Sequence, residues 1–193
     1  MIARKCRHPS GFTVIELMIA IGVASILVAI ALPSLTTYFR DAMLSQQIYG
    51  FAAALNLARG EAIKRGLPIS VCPSTDQATC AASGTHWESG WIVFTDRNNN
   101  HAVDTGDTVL WAGQALQTGY TLRGTSGTTL DTYLTVSPEG EPNATGQFVL
   151  CLSGQITQAR GILVSLAGRI SLASDDHGTP IAANGADMTS CTP

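Results

Sequence analysis

Apolar and polar positions change rhythm twice along this chain. Phe12 to Leu32 is a largely apolar run of 21 residues, broken by one charge, Glu16. At 1.5 Å per residue, a helix of that length reaches roughly 30 Å, the thickness of a bilayer's hydrocarbon core. After Pro33, apolar residues recur at three- and four-residue spacing: Leu35, Tyr38, Phe39, Ala42, Ile48, Phe51, Ala52, Leu55, Ala58, Ala62 and Ile63. Arg40, Asp41, Gln46, Asn56, Arg59 and Glu61 fall on the opposite face. The pattern ends at Lys64-Arg65, which suit the negative end of a helix, then Gly66 at the C′ position and Pro68. One helix over about 12–65, roughly 80 Å long and kinked at Pro33, is expected.

From residue 69 the period shortens. Apolar and β-branched runs occur at Ile69–Cys72, Trp91–Thr95, Thr108–Trp111, Tyr120–Arg123, Tyr133–Val136, Phe148–Leu152, Ile162–Leu166 and Ile170–Leu172. Gly, Ser, Thr, Asn and Pro separate them, and Leu166-Ala-Gly168-Arg169 reads as a tight hairpin turn. The fold class is therefore α+β: a long N-terminal helix, transmembrane in its first half, packed on a small, mostly antiparallel β head. Trp87, Trp91 and Trp111 are expected in the sheet core.

A leader, MIARKCRHPSG, carries Arg4, Lys5 and Arg7 ahead of the apolar run. Such a positive flank stays cytoplasmic and sends the remainder of the chain across the membrane. A carboxylate five residues into a span costs up to about 2.5–3.5 kcal/mol at mid-membrane, so Glu16 needs a partner. A secretory signal places its small-residue cleavage site after the apolar region. Here the punctuation, Gly11-Phe12-Thr13-Val14-Ile15-Glu16, stands before it.

That arrangement resembles the type IV prepilin signature, in which a membrane prepilin peptidase cuts after the glycine. Glu16 is then fifth in the mature chain and Pro33 twenty-second, where many of these proteins carry a proline. The resemblance implies processing at Gly11 and Phe12, N-methylation of Phe12, and pairing of Glu16 with the α-amino group of a neighbouring subunit. It divides the chain into a leader (1–11), a transmembrane and assembly half-helix (12–33), an amphipathic half-helix (34–65) and a periplasmic β-rich head (66–193). In the head, Cys72-Pro73-Ser74, Cys80, Trp87, Gly90-Trp91-Ile92-Val93-Phe94-Thr95-Asp96 and Gly168-Arg169 resemble the GspH/FimT/FimU minor pilins. The family implies a single-pass protein of the bacterial inner membrane with a periplasmic head. Such a subunit initiates or caps a type IV pilus or a type II secretion pseudopilus, and its partners are other major and minor pilins or pseudopilins.

Charge and cysteine content narrow the picture. The formal net charge is −3, from 11 basic and 14 acidic residues. Loss of the leader's three basic residues leaves 8 against 14, a net of −6. An acidic head is a poor general binder of nucleic acid, which draws its affinity from Lys and Arg on phosphates. Cys6 lies in the leader, leaving Cys72, Cys80, Cys151 and Cys191, an even number in an exported domain. Three pairings are open. Cys72–Cys80, closing a short polar loop, and Cys151–Cys191, tying down the tail after 174, are favoured at roughly 2–4 kcal/mol each. No C-x-x-C spacing points to zinc.

Two further functions have candidate residues. Counting Asp96 as position 1, the Asp96–Asp107 loop places side-chain oxygens at positions 1, 3, 5, 9 and 12, as a calcium loop does. His101 stands where such a loop needs glycine, and Asp107 is shorter than the usual Glu, so a polar hairpin is the leading reading and no cofactor is expected. Some FimT proteins bind DNA for natural transformation through Gly-Arg-x-Arg. Here the segment is Gly168-Arg169-Ile170-Ser171, with half the motif, and Arg123 and Arg160 are the other candidates for DNA. No nucleophile motif or phosphate-cradling loop occurs; His86, His101 and His177 sit in polar loop sequence and Asp175-Asp176 in the tail, so an enzyme is not expected.

Overall fold

The computed structural model describes residues 12–173 and 190–193, with the side chains at 31–34, 37, 157 and 158 excepted. The leader with Gly11 and Cys6, the side chain of Pro33, and His177 with Asp175-Asp176 lie outside the described residues. One helix, α1, runs Val14–Arg65, through position 33. It stops as the sequence implies: Gly66 takes φ +63°, and its N–H donates to the Ala62 carbonyl at 2.9 Å. The chain divides into two compact units, Met1–Arg40 and Asp41–Pro193, so the last 25 helical residues share a unit with the head.

In the second unit eight strands are described: β1 (Ile69–Pro73), β2 (Trp91–Thr95), β3 (Val109–Gly113), β4 (Tyr120–Gly124), β5 (Leu134–Val136), β6 (Gly146–Leu152), β7 (Gln155–Val164) and β8 (Ile170–Ala173). They form two antiparallel sheets, ordered β3-β2-β1-β5 and β4-β6-β7-β8. Seven strands lie within a few residues of their expected positions. β7 does not: it begins at Gln155 rather than Ile162, and Leu166 belongs to the turn with 73% exposure. The early part of β7 is polar and lacks an apolar period, so its strand state is imposed by pairing with β6 from Gly146↔Val164 to Cys151↔Ala159.

Both sheets turn one face to α1. Leu44, Ile48, Phe51, Leu55, Ala58 and Ala62, spaced by four and three residues, are at most 1% exposed. They join Val71 and Val93 of the first sheet and Leu122, Phe148 and Ile162 of the second in one core. Phe51 is its centre, meeting Trp87, Trp91 and Phe148 edge-to-face at centroid distances of 4.9–5.3 Å. Trp111 departs from expectation: it stands 52% exposed on β3, an edge strand.

Each sheet also buries part of its other face, and a disulfide covers each patch. Cys72, Ile92 and Phe94 form one cluster with Cys80 and Tyr133 against it; Cys72 and Cys80 are bonded. Val149, Cys151 and Ala159 form the other, with Cys191 against it; Cys151 and Cys191 are bonded. β1 and β2 are therefore buried on both sides, which accounts for continuous apolar runs where a half-exposed antiparallel strand would alternate.

The Cys72–Cys80 loop has an anionic centre. The Asp76 carboxylate accepts from Thr79 Oγ1 and N–H (2.7 and 2.8 Å), Ala78 N–H (2.9 Å) and Ser74 Oγ (3.0 Å). The Thr79 hydroxyl, then the Thr79 and Ala78 amides, hold its carboxyl well below the ordinary aspartate range. The folded loop binds this proton more weakly than the unfolded chain does. The stabilisation is thus complete above the ordinary value near 3.8 and fades as pH falls toward the lower folded value. A carboxyl-carbon NMR titration should find Asp76 still ionised where Asp in an unfolded peptide is half protonated, and Thr79→Val should raise its midpoint.

Candidate functional site

The first unit holds a helical surface whose described apolar side chains are largely exposed. Phe12, Val14, Ile15, Leu17, Met18, Ile19, Ile21, Val23, Ile26, Leu27, Val28 and Ile30 are each 53–76% exposed. A contiguous exposed apolar surface of this kind marks an interaction surface. Among the described residues no helix is long and apolar enough to cross a membrane; the expected run, Phe12–Leu32, reaches positions 31 and 32, whose side chains are outside the description.

Polar groups in this surface are matched locally. Thr13 Oγ1 accepts the Glu16 backbone N–H at 3.3 Å, and the Thr13 carbonyl accepts from Leu17 N–H at 3.1 Å, so Thr13 caps the helix. The spacing Thr13-x-x-Glu16 is that of a capping box, and it sets the carboxylate in the first turn, where the helix dipole favours a negative charge. Ser25 Oγ donates to the carbonyls of Ile21 and Gly22 at 2.8 and 2.9 Å, leaving no hydroxyl proton facing an apolar medium. Glu16 is the one charge on this stretch whose carboxylate has no partner among the described residues.

Arg59 ties the head's turns to its helix. Its Nε donates to the Gly140 carbonyl (3.2 Å) and its Nη2 to the Ala167 carbonyl (2.9 Å). Gly168, at φ +70°, is buried in this junction, where an added Cβ would lie 1.9 Å from the Gly140 oxygen. The glycine of Gly168-Arg169 is thus required by packing. Arg59→Ala should lower stability by about 1.5 kcal/mol, the scale of a charge-assisted bond to a carbonyl, with Arg59→Lys recovering only part. Urea unfolding of the full chain in detergent, followed by tryptophan emission, would measure it.

The Asp96–Asp107 loop is closed by its own hydrogen bonds. Asp96 is fully buried and accepts from Ser70 Oγ (2.6 Å), Asn100 N–H (3.0 Å) and His101 N–H (3.1 Å). Asp107 accepts from the backbone N–H groups of Arg97 and Asp104, at 3.2 and 3.1 Å. Asp104 accepts from the Asn98 amide at 3.0 Å and from Asn100; the Asn98 bond, then the Asn100 bond, lowers its carboxyl below the ordinary value. Among the described residues no group of three or more His, Cys, Asp or Glu is arranged to hold a metal ion.

The three arginines are not gathered. Arg123 pairs with Glu88 around the free edge of β4. Arg160, on β7, lies 3.7 Å from Asp41. Arg123 is in register with Val149 and Arg160 with Leu150, adjacent β6 residues, so the two begin on opposite faces of the sheet. Arg169 is exposed in the β7–β8 turn, beside an open groove of about 760 Å³ lined by Leu163, Ser165, Leu166 and Ser171.

Comparison with known proteins fixes the family. Residues 49–168 match Type II transport protein GspH, and residues 6–32 match the prokaryotic N-terminal methylation motif. This chain belongs to the GspH family. The GspH match runs from the exposed Tyr49 on α1 to the buried Gly168, so it covers most of the second unit and stops short of β8. The α+β architecture is similar to the type IV minor pilin FimU of Pseudomonas aeruginosa. One FimU crystal structure aligns at TM-score 0.57 and 20% identity over 77% of this chain and 94% of FimU. A second crystal form gives 0.56 and 21%, over 77% and 99%. Pilin-like protein PilA1 of Thermus thermophilus is 29% identical over 97 residues, 50% of this chain and 54% of that protein. The chain therefore spans about half the length of this curated relative. Family and fold are those of structural pilin subunits rather than enzymes.

Proposed function

We propose that this GspH-family chain is a minor subunit of a thin filament, a type IV pilus or a type II secretion pseudopilus, and that it helps to start or cap assembly. The carrying observation is that one chain joins a largely exposed apolar helix, bearing one carboxylate, to a compact disulfide-bonded head. In this reading prepilin peptidase cuts between Gly11 and Phe12, and Phe12 is N-methylated, which keeps its positive charge. Before assembly the chain is a single-pass protein of the inner membrane with its head in the periplasm. On assembly the apolar surface exchanges lipid for neighbouring pilin helices, and Glu16 meets the Phe12 amine of another subunit. In a medium of low dielectric that pair gains much from contact, whereas either charge alone keeps its desolvation cost.

Mass spectrometry of protein from native membranes tests the first step. The expected N-terminus is Phe12 carrying one methyl group; an intact Met1, or a cut beyond Leu32, would refute the reading. Cross-linking in membranes followed by identification of partners separates the versions, since pilus minor subunits and secretion pseudopilins are distinct sets. A DNA-receptor role has less support: Arg123 and Arg160 have carboxylate partners, which leaves Arg169.

A further inference from the structure

The head carries a cleft, lined by hydroxyls and an imidazole as well as apolar groups, that the assembly reading above does not invoke. It measures about 340 Å³, within the range of small-molecule sites (~300–1,000 Å³), and lies over the first sheet beside the Cys72–Cys80 bond. Its lining includes Ser83, Thr85, His101, Thr132 and Tyr133 and no Asp, Glu, Lys or Arg.

Hydrogen bonding fixes the chemistry of His101. Ionised Asp96 can only accept, so Ser70 Oγ donates to it at 2.6 Å. The Ser70 oxygen then accepts from Thr135 Oγ1 at 2.7 Å, and the Thr135 oxygen accepts from His101 Nδ1 at 3.1 Å. Asp96 Oδ2 lies a further 3.4 Å from the same nitrogen. With Nδ1 committed as the donor to Thr135, the Nε2 of His101 is left over, and it has no partner among the described residues. The ring is held flat against Tyr133, with centroids 3.8 Å apart and planes at 16°. His101 does this at φ +63°, a left-handed backbone costing about 1 kcal/mol for a residue with a side chain. The hydroxyls of Ser83, Thr85 and Tyr133 also make no bond among the described residues.

We propose that this cleft binds a neutral sugar. A ligand hydroxyl suits the free Nε2, because it can donate to that nitrogen or accept from it, and the free hydroxyls around it can both donate and accept. The His101–Tyr133 stack offers an aromatic surface to the C–H face of a pyranose ring. A lining without Asp, Glu, Lys or Arg disfavours phosphate, carboxylate or ammonium ligands, whose desolvation would go largely uncompensated. The disulfide and the chain from Asp96 hold these groups in place before binding, which reduces the ordering cost. The lining includes neither Glu16 nor the apolar helix, so failure of this proposal and failure of the assembly reading are distinguishable.

Saturation-transfer NMR on the full chain, in a detergent without a sugar headgroup, tests this with glucose, galactose and N-acetylglucosamine as probes. At least one should bind with Kd of about 1 mM, a typical value for a single weakly held small ligand. His101→Ala should weaken it at least tenfold. Ala82→Trp, an exposed rim substitution that fills the cleft without touching the Asp96 chain, should abolish it, and decides the matter if His101→Ala alters the amide fingerprint. No transfer from any of the three sugars to the native chain at about 10 mM, or binding retained in Ala82→Trp, would overturn the proposal.

Discussion

Glu16→Ala should reduce the filament-bound fraction of this chain about thirtyfold or more while leaving the head folded. The substitution removes the carboxylate but keeps the Glu16 backbone N–H that Thr13 accepts, so the helix start survives. What is lost is the partner for a buried ammonium at Phe12 of a neighbouring subunit. Truncating one member of a desolvated charge pair costs about 2–5 kcal/mol, and 2 kcal/mol is about thirtyfold in an equilibrium. The core begins at Leu44, in the other compact unit, so head unfolding should be unchanged. Comparing sheared filaments with membranes by quantitative mass spectrometry reads the effect. Glu16→Asp should be milder, since it keeps the charge with a shorter reach. Equal incorporation of the alanine variant would remove the pairing role and with it the main support for the proposed function.

The largest effect on head stability should come from Asp96→Ala. Ser70 Oγ and the N–H groups of Asn100 and His101 all donate to a carboxylate that is 0% exposed. Removing it leaves these donors and the downstream Thr135–His101 bond without an acceptor at the end of the chain. Each orphaned buried donor costs about 1–3 kcal/mol, and some recover with water, so a net loss of about 4 kcal/mol is expected. For a head of this size that corresponds to roughly 10 °C in Tm. Asp96→Asn should also destabilise, because an amide nitrogen must then face a donor. Trp87 and Trp91, at 0% and 4% exposure, provide an emission signal for core opening. An unchanged denaturant midpoint for both variants would mean that the network contributes nothing to the fold.

Much of this architecture was legible in the residues because it depends on near neighbours. Lys64-Arg65-Gly66 marks a helix end through local dipole and backbone preferences, and the helix stops at Arg65. The Trp91–Thr95 run reads as a strand because both of its faces are buried. Trp111 looks equally suited to a core, yet the same indole stays exposed once its strand becomes a sheet edge. By its spacing Arg59 belongs to the polar helix face. Its partners, Gly140 and Ala167, are 81 and 108 residues away, and no local pattern announces them. The Asp96 loop shows the same limit. Its oxygen spacing suits a cation, but whether those oxygens face an ion or the loop's own amides depends on Ser70 and Thr135, brought there by the β1–β5 pairing.

By itself, then, the sequence determined the apolar rod with its lone carboxylate, the end of the helix and most strands. Those features follow from interactions within a few residues or from transfer of side chains out of water. Only the tertiary structure decided the order of two sheets, the burial of Gly168 beneath Arg59, and the polar chain that holds His101 at a cleft, and it settled which of three open pairings the four head cysteines take. Each of these requires two distant segments to arrive at one place, and that is settled by packing of the whole head around Phe51.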